Sequence, residues 1–191
     1  MMKVGIWLYS VLLVSWGPVD VFLEEDMARL MVVNVPLLLL MGVGGGAILK
    51  PQFKGLEKIK PHWAFPGLLF SIGTILFWMI PRSLDLAVES NLVDALLHFS
   101  LIAAGGLLFL CLPHLPFFAQ MAVGIYLIAM WGGVGLILSQ SSSQICARFS
   151  LAQQQAAGSA MLWAAGLWLI VFSIAFIRLL IKLGPPAKPV I

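Results

Sequence analysis

Charge is the scarcest commodity in this sequence. Asp, Glu, Lys and Arg make up 10% of its 191 residues, against about 25% in an ordinary soluble domain. Hydrophobic residues account for 61%, and mean hydropathy is +1.04. Eleven basic and eight acidic side chains are too few to clothe a water-soluble globule with so much apolar surface, which places the chain in a bilayer. The same scarcity excludes nucleic acid as a partner, because the net charge of +3 is scattered between apolar runs instead of gathered on a water-facing patch. Cysteine is nearly absent too. Cys111 and Cys146 build no disulfide framework, and no CxxC pairing signals zinc or attached haem. Only three histidines occur, His62, His98 and His114, and His62 and His114 sit beside prolines at helix ends, where interfacial roles suit them. No G-x-S-x-G, H-E-x-x-H or Walker pattern is present, so the chain does not read as an enzyme.

What is abundant is apolar sequence in spanning lengths. A transmembrane helix takes about 20 predominantly apolar residues. Six stretches approach that, at 3–22, 28–49, 64–81, 92–112, 116–139 and 160–182. The expectation is a single all-α membrane domain over 1–191, a polytopic bundle of about six helices. The first stretch is the weakest, broken by Gly17, Pro18 and Asp20; no small-x-small cleavage site follows it, so it reads as a retained helix with a loosened end. Glycines recur within the others, Gly42 and Gly44–Gly46, Gly105 and Gly106, Gly132, Gly133 and Gly135, where small residues let helix backbones approach. Pro36, Pro66 and Pro81 are positioned to kink or end helices.

The few charges sort by side. With the N-terminus inside, the inner connections collect Lys3, Lys50, Lys54, Lys58, Lys60, Arg178, Lys182 and Lys188 against Glu57 alone. The outer ones hold Arg29, Arg82 and Arg148 against Asp20, Glu24, Glu25, Asp26, Asp85, Glu89 and Asp94. The positive-inside rule therefore predicts both termini in the cytoplasm. The Ser- and Gln-rich outer connection at 139–159 is expected to carry a short surface helix at 150–155, ahead of the last span.

Chemistry concentrates at the outer ends of the third and fourth spans, where Trp78-Met79-Ile80-Pro81 and Asp85 are followed by Asp94 and His98. Asp94 and His98 are spaced to share one helix face a turn apart, and ionisable groups at membrane depth face a partner or a cavity. Met27 and Met31 repeat that spacing at the start of the second span. Thioethers favour Cu(I) and imidazole accepts Cu, Zn or Fe, so Met79, Asp94, His98, Met27 and Met31 form a candidate copper-binding rim. The plainer alternative stands beside it: two apolar helix methionines, and an Asp94–His98 pair that is purely structural.

These residues resemble a known family. Trp78-Met79-Ile80-Pro81…Asp85-Leu86-Ala87, then Asp94…His98 and Gly105/Gly106…Phe109, are similar to the W-H-x-P-x-x-x-D-x-A, H-x-x-x-H and glycine-bearing helix of the CtaG family of cytochrome c oxidase assembly proteins. Gln154-Gln155-Ala156-Ala157-Gly158…Met161…Trp163 resembles that family's D-Q-Q-x-A-G-x-x-M-W. Met27…Pro36-Leu37-Leu38-Leu39-Leu40-Met41-Gly42 resembles its H-M-x-x-H…P-L-L-L-x-G helix. The resemblance runs through spans two to six. It implies a multi-helix protein of a bacterial or archaeal inner membrane that assists copper insertion into haem-copper oxidases. Subunits of a membrane respiratory complex would be its partners, and Asp85, Gln154 and Gln155 its further outer-face polar residues. The chain departs from the pattern at its histidines. Met79 and Asp94 stand where the family has His, His98 is kept, the second-span pair is missing, and Gln153 stands where Asp precedes the glutamines. Two functions follow: a copper-loading assembly factor that captures Cu(I) at the rim, or a non-catalytic accessory subunit that keeps the fold without the metal. A transporter using Asp94–His98 as a proton relay is disfavoured, since no broken-helix pair or inverted repeat is apparent in the sequence.

Overall fold

In a bilayer every backbone N–H and C=O must be paired within the chain, and a helix does this locally. The computed structural model describes residues 2–15, 17–52 and 61–183, and among them all regular structure is helical, without a sheet. The lysine-rich connection at 53–60 and the tail at 184–191, both invoked above as part of the inner side, lie outside the described residues.

The expected first span is two helices, α1 (Met2–Ser15) and α2 (Pro18–Glu24). Gly17 between them is extended, and Pro18 opens α2 at a position where its missing N–H costs no helical bond. Helix α3 (Met27–Leu49) begins where the Asp26 carboxylate accepts hydrogen bonds from the Ala28 and Arg29 amides at 2.9 and 3.1 Å. Its Leu30–Asn34 stretch is wound as a π-helix, just ahead of Pro36, which has no N–H to donate to the preceding turn. Helix α4 (Pro61–Trp78) meets α5 (Pro81–Glu89) at a bend of 76°. Helices α6 (Asn91–Cys111), α7 (Phe117–Gln140) and α8 (Leu151–Leu183) follow.

Among the described residues four helical stretches are long and apolar enough to cross a membrane, Met27–Leu49, Asn91–His114, Phe117–Gln140 and Leu151–Leu179, and the bent α4–α5 pair, counted as one span, makes five. The first of the six expected spans is not among them, because the break at Gly17 leaves only a short apolar helix, Val4–Ser15. The expected surface helix at 150–155 is instead the opening of α8, which continues without interruption. A capping box starts it: the Ser150 hydroxyl accepts from the Gln153 amide at 3.3 Å, while Gln153 Oε1 accepts from the Ser150 amide at 3.0 Å.

Glycine sets the tightest helix pair. Helices α3 and α6 run parallel, and a Cβ on Gly42 would overlap the Ile102 carbonyl, just as one on Gly105 would overlap the Leu39 carbonyl. Helix α4 lies against the other side of α6, where Ser71 Oγ is 3.0 Å from the Ala104 carbonyl. Helices α7 and α8 form a second close pair, with Gly135 and Gly158 backbone to backbone. The main core sits towards one end of the bundle, around Leu30, Leu38, Ile75, Leu84, Leu97 and Leu138.

Candidate metal centre

All seven acidic residues assigned to the outer side gather at that same end, carried by α2, the start of α3, α5 and the start of α6. Helix α6 places Asp94 and His98 on one face, as their spacing predicts. The imidazole is almost wholly enclosed, at 4% exposure. Its Nδ1 lies 3.0 Å from the Asp94 carbonyl oxygen and 2.9 Å from Asp94 Oδ1. Its Nε2 faces α2, where Asp20 Oδ1 is 3.2 Å away. Asp20 is itself buried, at 7% exposure.

The ring's orientation decides what it can do. When Nδ1–H donates to the Asp94 carbonyl, Nε2 carries the lone pair, which is how metal-ligating histidines are commonly held. Nε2 and Asp20 Oδ1 lie within ion-pair distance, so a second ring proton would place an imidazolium between the Asp94 and Asp20 carboxylates. Two lone pairs facing each other at that distance repel, so the arrangement calls for a cation between them, either a ring proton or a metal. One ligand atom each from Asp20, Asp94 and His98 falls within 4.8 Å of the others, which is close enough for one ion to touch all three.

Asp20 was not among the residues singled out from sequence, and neither was Glu24. Their signal was available, since the two are four apart on α2 just as Asp94 and His98 are on α6. It was hidden by the Gly17–Pro18 break, which made that stretch read as a frayed helix end. Glu24 is half-buried on that helix.

Met27, Met31 and Met79 are fully buried in the apolar core, not on a rim open to solvent. Asp85, Gln154 and Gln155 organise the connection at 141–150. Asp85, at 1% exposure, accepts from the Ala147 and Arg148 amides at 2.8 and 3.3 Å. Gln154 accepts from the Ile145 amide at 2.9 Å and donates to the Phe149 carbonyl at 3.0 Å, and Gln155 donates to the Ser141 carbonyl at 3.0 Å. Held this way, the connection buries Cys146 and Phe149 in the core. Burial, and after it the Asp85 charge, raise the Cys146 thiol to about 11. Cys111 is buried at the far end against Gly67, and the side chain of His62 lies outside the described residues.

No known protein family, curated protein or solved structure matches the chain.

Proposed function

We propose that this chain is a membrane assembly factor that holds a transition metal at Asp20, Asp94 and His98 and passes it to a haem-copper respiratory oxidase in a bacterial or archaeal inner membrane. The supporting observation is the buried imidazole held between two carboxylates, with ligand atoms of Asp20, Asp94 and His98 within 4.8 Å of one another. The delivery role and the oxidase rest on the motif resemblance. One imidazole and two carboxylates are borderline-to-hard donors, suited to Zn(II) or Cu(II), whereas Cu(I) selects thioethers and thiolates. The cargo is therefore taken up as a divalent ion, with the core methionines serving as packing. In this reading the bundle has six crossings, α1 with α2 supplying the first and the bent α4–α5 pair the third. Both termini face the cytoplasm, and the acidic end faces outward.

The second reading, an accessory subunit of a respiratory complex, draws on the outer surface of α8. Trp163 and Trp168 are 82% and 56% exposed there, on the least covered of the spanning helices, a face open to lipid or to a neighbouring subunit. Metal analysis separates the two. Purified protein, stripped with chelator and re-equilibrated with Zn(II) or Cu(II), should retain a single ion per chain, and His98→Ala or Asp20→Asn should lose it. A metal-free wild type that co-purifies with a larger complex from native membranes would establish the accessory role instead.

A further inference from the structure

We infer that the chain binds one anionic phospholipid in the groove between α1, α3 and α6, with an acyl chain along the glycines of α3 and the headgroup phosphate on Lys50. The site lies at the opposite end of the bundle from the acidic group and does not depend on the metal reading. The groove encloses about 440 Å³, and its lining is almost wholly apolar. Missing side chains make its floor, at Gly42, Gly45 and Gly46 of α3 and Gly106 of α6. Trp7 of α1 and the 102–110 stretch of α6 bound it. Trp7 is fixed in place, because its Nε1–H donates to the Met41 carbonyl at 2.8 Å and its ring covers Gly45 so closely that a Cβ there would overlap it.

Position along the span selects the occupant. The spanning stretch Met27–Leu49 ends at the residue before Lys50, so the lysine stands at the edge of the hydrocarbon. From Gly42 to Leu49 the groove runs about 10 Å along α3 at 1.5 Å per residue, inside the roughly 15 Å that one leaflet contributes to the hydrocarbon core. Acyl chains are what fills a groove at that depth, and an empty one would forfeit the dispersion contacts of its walls. Charge then selects the headgroup. The Lys50 Nζ lies 5.8 Å from the centre of the Phe109 ring, and Phe109 packs against Gly46, which places the ammonium at the end of the groove. An ammonium has three hydrogen-bond donors, and among the described residues no carboxylate forms a salt bridge with this one. A zwitterionic lipid offers the same phosphate but carries its own cation beside it, so a headgroup of net negative charge is the better complement to Lys50.

The test adds equimolar phosphatidylglycerol and phosphatidylcholine with identical acyl chains to the delipidated full chain in detergent, and counts retained lipid by native mass spectrometry. Wild type should keep one phosphatidylglycerol in preference to phosphatidylcholine. Lys50→Gln should cut that preference about fivefold, the effect of one basic side chain at an anionic surface, and Lys50→Arg should preserve it. Ala103→Phe, which fills the groove from α6, should abolish the retained lipid. Equal retention of the two lipids by wild type overturns the proposal. A preference undiminished in Lys50→Gln overturns it too, by assigning the selectivity to other basic residues. Should Ala103→Phe fail to fold, Ala103→Leu is a smaller plug, and retention equal to wild type in the folded variant would sink the groove as the seat of the acyl chain.

Discussion

Asp85 shows how a single carboxylate shapes the acidic end. Two backbone amides, Ala147 and Arg148, converge on its oxygens, and the turn they define pushes Cys146 into the core. Because the thiolate is the nucleophile and the thiol is raised to about 11 by burial and by Asp85, alkylation is slow at ordinary pH. In a Cys111→Ala background, maleimide labelling of Cys146 at pH 8 should run about 100-fold slower than for an exposed cysteine and accelerate with each pH unit towards 11. Asp85→Ala removes the acceptor from two amides, costs about 1–3 kcal/mol, and should speed labelling by releasing the turn. Labelling of the parent at the rate of a free thiol would show that the connection does not fold over the core. Asp85 and Gln154 were legible as unusual outer residues because ionisable and amide groups stand out in apolar sequence. Their role as acceptors for the 141–150 amides was not, because those contacts bridge up to 63 positions of the chain.

At the scale of elements, the spacing of apolar runs located α3, α6 and α7 closely, and the glycines within them marked where helices meet. Periodicity did not reveal which glycines touch. Gly42 and Gly105 face each other's helix backbone, whereas a Cβ on Gly133 meets nothing within 4 Å. Association in lipid has little hydrophobic drive and depends on this close fit, so an added methyl has opposite consequences at the two kinds of position. Gly105→Ala and Gly42→Ala each force α3 and α6 apart and should cost about 1–3 kcal/mol. Gly133→Ala should change stability by less than about 0.5 kcal/mol. Unfolding in mixed micelles monitored by helical signal tests this, and equal sensitivity of Gly105 and Gly133 would contradict the parallel α3–α6 contact. The bends were less readable than the packing. Pro81 was legible as a place where a helix ends, but the 76° turn into α5 depends on where α5 packs, and α8 runs on through the polar residues expected to interrupt it.

Across the whole molecule, the sorting of charge carried most of the information about arrangement. Seven acids expected on one side do collect at one end of the bundle, and this brings α2 and α6 together around His98. Number of crossings is the open variable, and parity makes it measurable. Helix α1 has 14 residues, about 21 Å at 1.5 Å per residue, short of the ~30 Å hydrocarbon core. The 7 residues of α2 add about 10 Å, which brings the pair to spanning length only if both contribute. If they do, six crossings put the two termini on the same side; if they do not, five crossings put them on opposite sides. The basic residues expected inside, from Lys50 to Arg178, fix the C-terminal side through the positive-inside rule in either case. Fusions at the C-terminus should therefore fluoresce as a cytoplasmic reporter and be inactive as an exported phosphatase, and a phosphatase inserted at 141–150 should be active. An N-terminal tag should resist protease added to the outside of intact cells. Its digestion there, with the C-terminal reporter still inside, would reduce the count to five and leave α1 and α2 as an outer cap over the acidic site.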